Sequence, residues 1–292
     1  MQNLKNYIIL MRVEQWVKNV FVLLPLFFSG GMLQQICWLQ AFLAFLAFSL
    51  AASAVYALND VVDASNDRLH PLKHRRPVAS GAVGIRAALT LAVVCALMAV
   101  AVGWLTVNLQ VAGVIVVYLL LNLAYCLRLK QIAIVDVFVL SLGYILRLQA
   151  GGWATHTHLS HWIVLMTFLL ALFLALAKRR DDVLIYEQKG VTVRASVSRY
   201  NLPFVNMSMA VVSAVMIVCY VMYTVSPEVT SRLQTSRLYL TTLFVVAGVF
   251  RYLQITFVEN RSGNPTLVMI KDRFIQICIA MWLLAFVFII YF

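Results

Sequence analysis

Charge is scarce in this sequence. Asp, Glu, Lys and Arg make up 12% of its 292 residues, against roughly 25% in a typical soluble domain, and 63% of the residues are hydrophobic. No soluble globule hides that much apolar surface, which excludes a cytosolic or secreted domain, and a disordered chain as well. Acids are rarer still: 11 against 23 basic residues, a net charge of +12. In a soluble protein that excess would suggest nucleic acid. Here it suggests loops facing anionic lipid and phosphate ligands, with no nucleic-acid partner. Cysteine is sparse and scattered. Cys37, Cys95, Cys126, Cys219 and Cys278 sit far apart in apolar runs, at no disulfide or zinc spacing, and read as small packing residues. The first apolar run, from about Val20, lacks a small-residue cleavage site, so no cleavable signal peptide is expected. There is no Walker loop, dinucleotide fingerprint or nucleophile elbow, and no long inverted repeat of the transporter kind.

What the sequence has instead is apolar runs of spanning length, about 20 residues each. Nine segments qualify: about 20–34, 38–58, 87–107, 110–127, 132–150, 160–177, 204–224, 238–257 and 274–292. Pro25 and Gly30-Gly31 interrupt the first. Turn-forming or polar residues at Gly30-Gly31, Asn108, Gly151-Gly152, Ser226-Pro227 and Gly263-Asn264-Pro265 separate the others. The expected fold class is an all-α polytopic membrane protein with nine transmembrane helices, one domain over residues 1–292.

The charges orient it. All but three of the 23 basic residues fall at the N-terminus or in alternate loops; the exceptions are Arg147, Arg232 and Arg237. The positive-inside rule places that majority in the cytoplasm, so the N-terminus is expected inside, and nine spans put Phe292 outside the plasma (inner) membrane. All of the 11 acids except Glu228 share the basic side. Acids contribute little to orientation, so their gathering marks a polar active site on cytoplasmic loops at the membrane boundary.

The strongest cluster is Asn59-Asp60-Val-Val-Asp63-Ala-Ser-Asn-Asp67, where the second segment ends. Asp60, Asp63 and Asp67 fall at i, i+3 and i+7, one helical face, with Asn59 one turn before Asp63. Like charges crowded beside hydrocarbon repel, so removing one is expected to leave the fold intact. Oxygen-only donors favour Mg²⁺, which commonly bridges to substrate phosphates. Next comes a basic run, Arg68 to Pro77, in which Lys73, Arg75 and Arg76 suit phosphate as well as topology. The loop after the sixth segment repeats the theme: Lys178-Arg179-Arg180-Asp181-Asp182, then Glu187. It reads as a second wall of the same site. Asp136, Gly143 and Arg147 share one stripe; Arg147, deep in an apolar run, reads first as an interhelix partner facing the interior. Lys18, in Gln15-Trp16-Val17-Lys18-Asn19, is either an interfacial anchor or a ligand. His156, His158 and His161 are poorly spaced for a metal.

These motifs carry a resemblance. Asn59-Asp60-x-x-Asp63-x-x-x-Asp67 resembles the first aspartate-rich motif of the UbiA-type intramembrane prenyltransferase superfamily. Arg12-x-x-Gln15-Trp16-Val17-Lys18-Asn19 with Pro25-Leu26, and the run from Asn59 through His70-Pro71, Lys73 and Arg76-Pro77, are similar to its decaprenyl-phosphate phosphoribosyltransferase branch. So are Tyr125-Cys126-x-x-Leu129-Lys130, Ala150-Gly151-Gly152, Lys178-Arg179 with Glu187, and Asp272-Arg273. The likeness covers nearly the whole chain. Asp182 stands where the branch tends to have Glu. The resemblance implies helices around a central cavity and an Mg²⁺-dependent pentosyltransferase moving 5-phosphoribosyl from phosphoribosyl diphosphate (PRPP) to a polyprenyl phosphate in cell-envelope biosynthesis. It implies Asn59, Asp60, Asp63 and Asp67 as metal residues and Asp60, Asp63 and Lys73 as catalytic ones. Substrate contacts fall to Lys18, Lys73, Arg75, Arg76, Tyr125, Lys130, Lys178, Arg179, Asp182 and Glu187. The alternatives are an aromatic prenyltransferase using a prenyl diphosphate and, from another class, a lipid transporter. Homo-oligomerisation is left open.

Overall fold

The computed structural model of the protein describes residues 2–28, 35–69, 73–189, 195–260, 268 and 271–291. Among them every regular element is helical. Helix α1 (Gln2–Met11) leads into a 3-10 helix (Val13–Val22) and a short α2 (Leu24–Phe28). Then follow α3 (Gln35–Val62), α4 (Ala64–Leu69), α5 (Ile85–Val102), α6 (Leu109–Leu127), α7 (Val135–Ala154) and α8 (His161–Lys189). The chain continues with α9 (Leu202–Val225), α10 (Pro227–Leu233), α11 (Thr242–Phe257) and α12 (Arg273–Tyr291).

Eight helices among the described residues are long and apolar enough to cross a membrane, so the chain is an integral membrane protein. Eight is one fewer than expected. The first expected span, 20–34, holds the end of the 3-10 helix and the five residues of α2; its Gly30-Gly31 break lies outside the described residues, as do His70-Pro71, Arg194, Arg261, Gly263-Asn264-Pro265 and Phe292.

Local chemistry sets the other ends. Asn108 accepts the Val111 amide at 2.8 Å and starts α6, Asn201 accepts that of Phe204 at 2.9 Å, and Ser226 accepts that of Val229 at 3.4 Å, each supplying a donor-starved helix N-terminus with an acceptor. The expected break at Gly151-Gly152 is absent: both glycines lie inside α7. The Lys178–Glu187 stretch is likewise not a loop but the last turns of α8.

The chain forms two compact units, Met1–Lys130 with Gly143–Leu159, and Gln131–Leu142 with Ser160–Phe292. In the first, Ala44, Ala47, Phe48 and Ala51 of α3 pack with Ala99, Val111, Ile115, Tyr118 and Ala150. So many alanines let helix backbones approach closely, the usual basis of helix packing in lipid. Gly151 does the same for α7: a Cβ there would stand 1.9 Å from the Val22 carbonyl oxygen. In the second unit, Phe173, Leu176 and Ala177 of α8 pack with Val205, Met209, Tyr252 and Ile275.

Candidate active site

In the first unit, α3 carries a polar stripe: Ser49, Ser53, Tyr56 and Asp60, at successive steps of four, three and four. At 1.5 Å per residue it runs about 16 Å. The 3-10 helix lies against this stripe. Three residues per turn eclipse every third side chain, so Trp16, Asn19 and Val22 form one line. Trp16 Nε1 donates to Ser53 Oγ and Asn19 Nδ2 to Ser49 Oγ, both at 3.0 Å, while Val22 joins the core. Ser53 Oγ in turn donates to the Met11 carbonyl at 2.9 Å.

The next line of that helix is Gln15, Lys18 and Phe21. Phe21 meets Tyr144 of α7 edge-on, with centroids 4.9 Å apart. Lys18 is half-buried and makes no hydrogen bond or ion pair among the described residues. Arg147 is 6% exposed. Its Nε donates to Asn19 Oδ1 at 2.7 Å and its two terminal nitrogens to the Gly143 carbonyl at 2.8 Å and Tyr118 Oη at 3.0 Å. The rings of Phe48, Tyr118 and Tyr144 surround it within 5.3 Å of their centroids. The expected interhelix partner is therefore present, joining α7 to α6 and to the 3-10 helix.

At the other end of the stripe every carboxylate meets a cation. Asp60, 2% exposed, accepts from Arg12 at 2.5 Å and from Arg76 at 3.3 Å. Arg12 holds a left-handed backbone, φ 51°, unfavourable for a side-chain-bearing residue by about 1–2 kcal/mol, and its guanidinium lies over Tyr56. Arg76 also donates to Asp67 at 2.6 Å. Lys130 pairs with Asp63, which accepts from Asn59 Nδ2 at 3.0 Å. Tyr125 and Cys126 of α6 are buried, Cys126 Sγ lying 3.5 Å from Asn59 Oδ1. Lys73 is half-buried and Arg75 exposed on a 3-10 turn, Lys73–Arg75. Among the described residues no three His, Cys, Asp or Glu side chains gather at one metal position. The donors are oxygen-only, which fits a Mg²⁺ ion taking one or two carboxylates and completing its shell with phosphate and water.

The second unit arranges its motif differently. Arg179, 1% exposed, donates to Asp136 at 2.9 Å and to Asp182 at 2.7 Å. Asp136 also accepts from Ser196 at 3.1 Å and Tyr200 at 2.8 Å, and Tyr200 Oη accepts the Ile134 amide at 2.6 Å. Burial pushes the Tyr200 phenol up, keeping it a neutral donor. Arg179 and Asp182 are thus locked inside the unit, whereas Lys178 and Glu187 are exposed. The pattern of charges alone revealed the Lys178–Glu187 motif but not Asp136 as its partner, more than 40 residues earlier. Arg12, Asn19, Ser49, Ser53 and Tyr56 escaped notice as site residues. The step-of-four-and-three spacing of polar residues in an apolar helix was the available signal.

The profile of the UbiA prenyltransferase family matches residues 22–277. A decaprenyl-phosphate phosphoribosyltransferase of Mycobacterium tuberculosis is 35% identical over 277 residues, 93% of this chain and 90% of that protein. One of the same name from Mycolicibacterium smegmatis is 33% identical, covering 93% and 88%. Among solved structures, a UbiA homolog from Archaeoglobus fulgidus bound to GPP and Mg²⁺ superposes with a TM-score of 0.73 over 98% of this chain and 100% of that one, at 17% identity.

Proposed function

Because the chain belongs to the UbiA prenyltransferase family, we propose that it is a polyprenyl-phosphate phosphoribosyltransferase, moving 5-phosphoribosyl from PRPP to a polyprenyl phosphate. The observation that carries this reading is the similarity to relatives of that name over nearly their full length. The family match runs through both compact units, which supports one catalytic domain. The described polar cluster supplies what the chemistry needs. The bond from ribose C1 to the diphosphate oxygen breaks and its electron pair leaves with the diphosphate. An oxygen of the acceptor phosphate forms the new bond to C1. That oxygen is already anionic near neutral pH, so positioning replaces a general base.

Asn59, Asp63, Asp60 and Asp67 would hold Mg²⁺, which when bound supplies positive charge to the departing diphosphate. Lys73, Lys130, Arg75 and Arg76 add cations to the same end, and Tyr125 and Lys130 are proposed as substrate contacts with them. Lys178 and Glu187, exposed on α8, are the members of the second motif open to substrate; Arg179 and Asp182 hold that stretch in place. The cytoplasmic side is the side of the basic majority, with the chain in the plasma (inner) membrane.

The test supplies labelled PRPP, polyprenyl phosphate and Mg²⁺ to purified protein. Label entering the lipid fraction, with release of diphosphate, is expected. No lipid label, with prenyl transfer from a prenyl diphosphate to a hydroxybenzoate instead, would assign the chain to the aromatic prenyltransferases.

A further inference from the structure

Arg147 poses a problem that its hydrogen bonds do not solve. Asn19, Gly143 and Tyr118 give it three neutral acceptors, and three rings give it cation–π contact. None of these carries a counter-charge. A buried guanidinium in the middle of a spanning helix is retained at a cost, and intramembrane charges characteristically mark a pathway or ligand. A second cation makes the imbalance worse. Lys18 stands beside Asn19, Arg147's own partner, on the line of the 3-10 helix whose Phe21 meets Tyr144. Glu14, four residues before Lys18, is exposed and forms no ion pair among the described residues. At the far end of the same stripe the balance is the opposite: Asp60, Asp63 and Asp67 each have a matching cation. Gly143 keeps the space open, since a Cβ there would stand 3.3 Å from an Arg147 terminal nitrogen.

We propose that Arg147 and Lys18 form an anion subsite for a phosphate monoester, separate from the carboxylate end of the α3 stripe. The inference rests on the reading above that a phosphorylated donor meets a phosphorylated acceptor here. Two such monoesters exist in that reaction, the 5-phosphate of the ribose and the phosphate of the lipid, and both offer the same three-oxygen dianion. A planar guanidinium donates two parallel bonds to such a group while an ammonium adds a point charge.

The experiment uses purified full-length protein in detergent without Mg²⁺. Thermal stabilisation is titrated with ribose 5-phosphate, which lacks the diphosphate, and with polyprenyl phosphate against the matching polyprenol. Wild type, Arg147→Gln, Arg147→Lys and Lys18→Gln are compared. One of the two phosphates is expected to stabilise wild type and to bind about ten- to a hundredfold more weakly to Arg147→Gln and Lys18→Gln, with partial recovery in Arg147→Lys. The ligand affected identifies the source, and KM for the corresponding substrate should rise by a similar factor. Lys18→Gln removes no hydrogen bond, so it serves if Arg147→Gln does not fold. Unchanged binding of both phosphates to folded Lys18→Gln, or no stabilisation of wild type by either, would make Arg147 a structural clamp only. If lipid labelling from PRPP fails while phosphate binding still depends on these two residues, the proposed reaction is wrong and the subsite stands.

Discussion

Asp60 and Asp63 are one helical turn apart, yet their surroundings differ enough to separate two kinds of loss. Asp60 is buried against two guanidinium groups, so its removal takes away ion pairs as well as like-charge repulsion. Asp60→Ala is expected to cost about 1.5–3 kcal/mol, the range for hydrogen bonds to charged groups, seen as a lower apparent Tm, together with loss of transfer. Asp63 is less buried, with Lys130 as its cation. Asp63→Asn is expected to lower kcat/KM at least a hundredfold with little change in Tm; full activity would remove the carboxylates from the mechanism.

At the scale of elements, the same residue type plays opposite parts, which limits what a sequence discloses. Asn108 and Ser226 were legible as breaks because their side chains cap helices. Gly151-Gly152 looked like another break, but Gly151 instead admits the Val22 carbonyl against α7; spacing along the chain cannot distinguish a turn from a close approach. Gly151→Ala is expected to displace the 3-10 helix and destabilise the protein by about 1–3 kcal/mol or more, with a larger fall in activity than in expression, because that helix follows directly on Arg12 and carries Lys18 and Asn19. Normal melting and kinetics would show that the contact relaxes without consequence. Helical periodicity brings Asp60 and Asp67 to the same side, where both meet Arg76, while Asp63 turns to Lys130. The partners Arg12 and Lys130 are not readable from it, since they come from distant segments, and the 3-10 geometry that turns Trp16 and Lys18 to different neighbours leaves no mark in the sequence Val13–Val22.

For the whole molecule, the basic residues before Val20 and those in 68–86 share a side only if the chain between them crosses the membrane twice. Helix α3 is long and apolar enough for one crossing, and the other is expected of the segment 20–34. A reporter fused after Phe292 should therefore read outside; a cytoplasmic reading would mean that this short segment does not cross. The 3-10 helix has a further consequence, in time rather than in space. Its hydrogen-bond geometry is poorer than that of an α-helix, and runs of ten residues are uncommon. Its hold comes from Ser49, Ser53 and Arg147 rather than from itself. Amide exchange should accordingly reach residues 13–22 well before the middle of α3, making this wall of the site the first to open while the rest of the bundle stays closed.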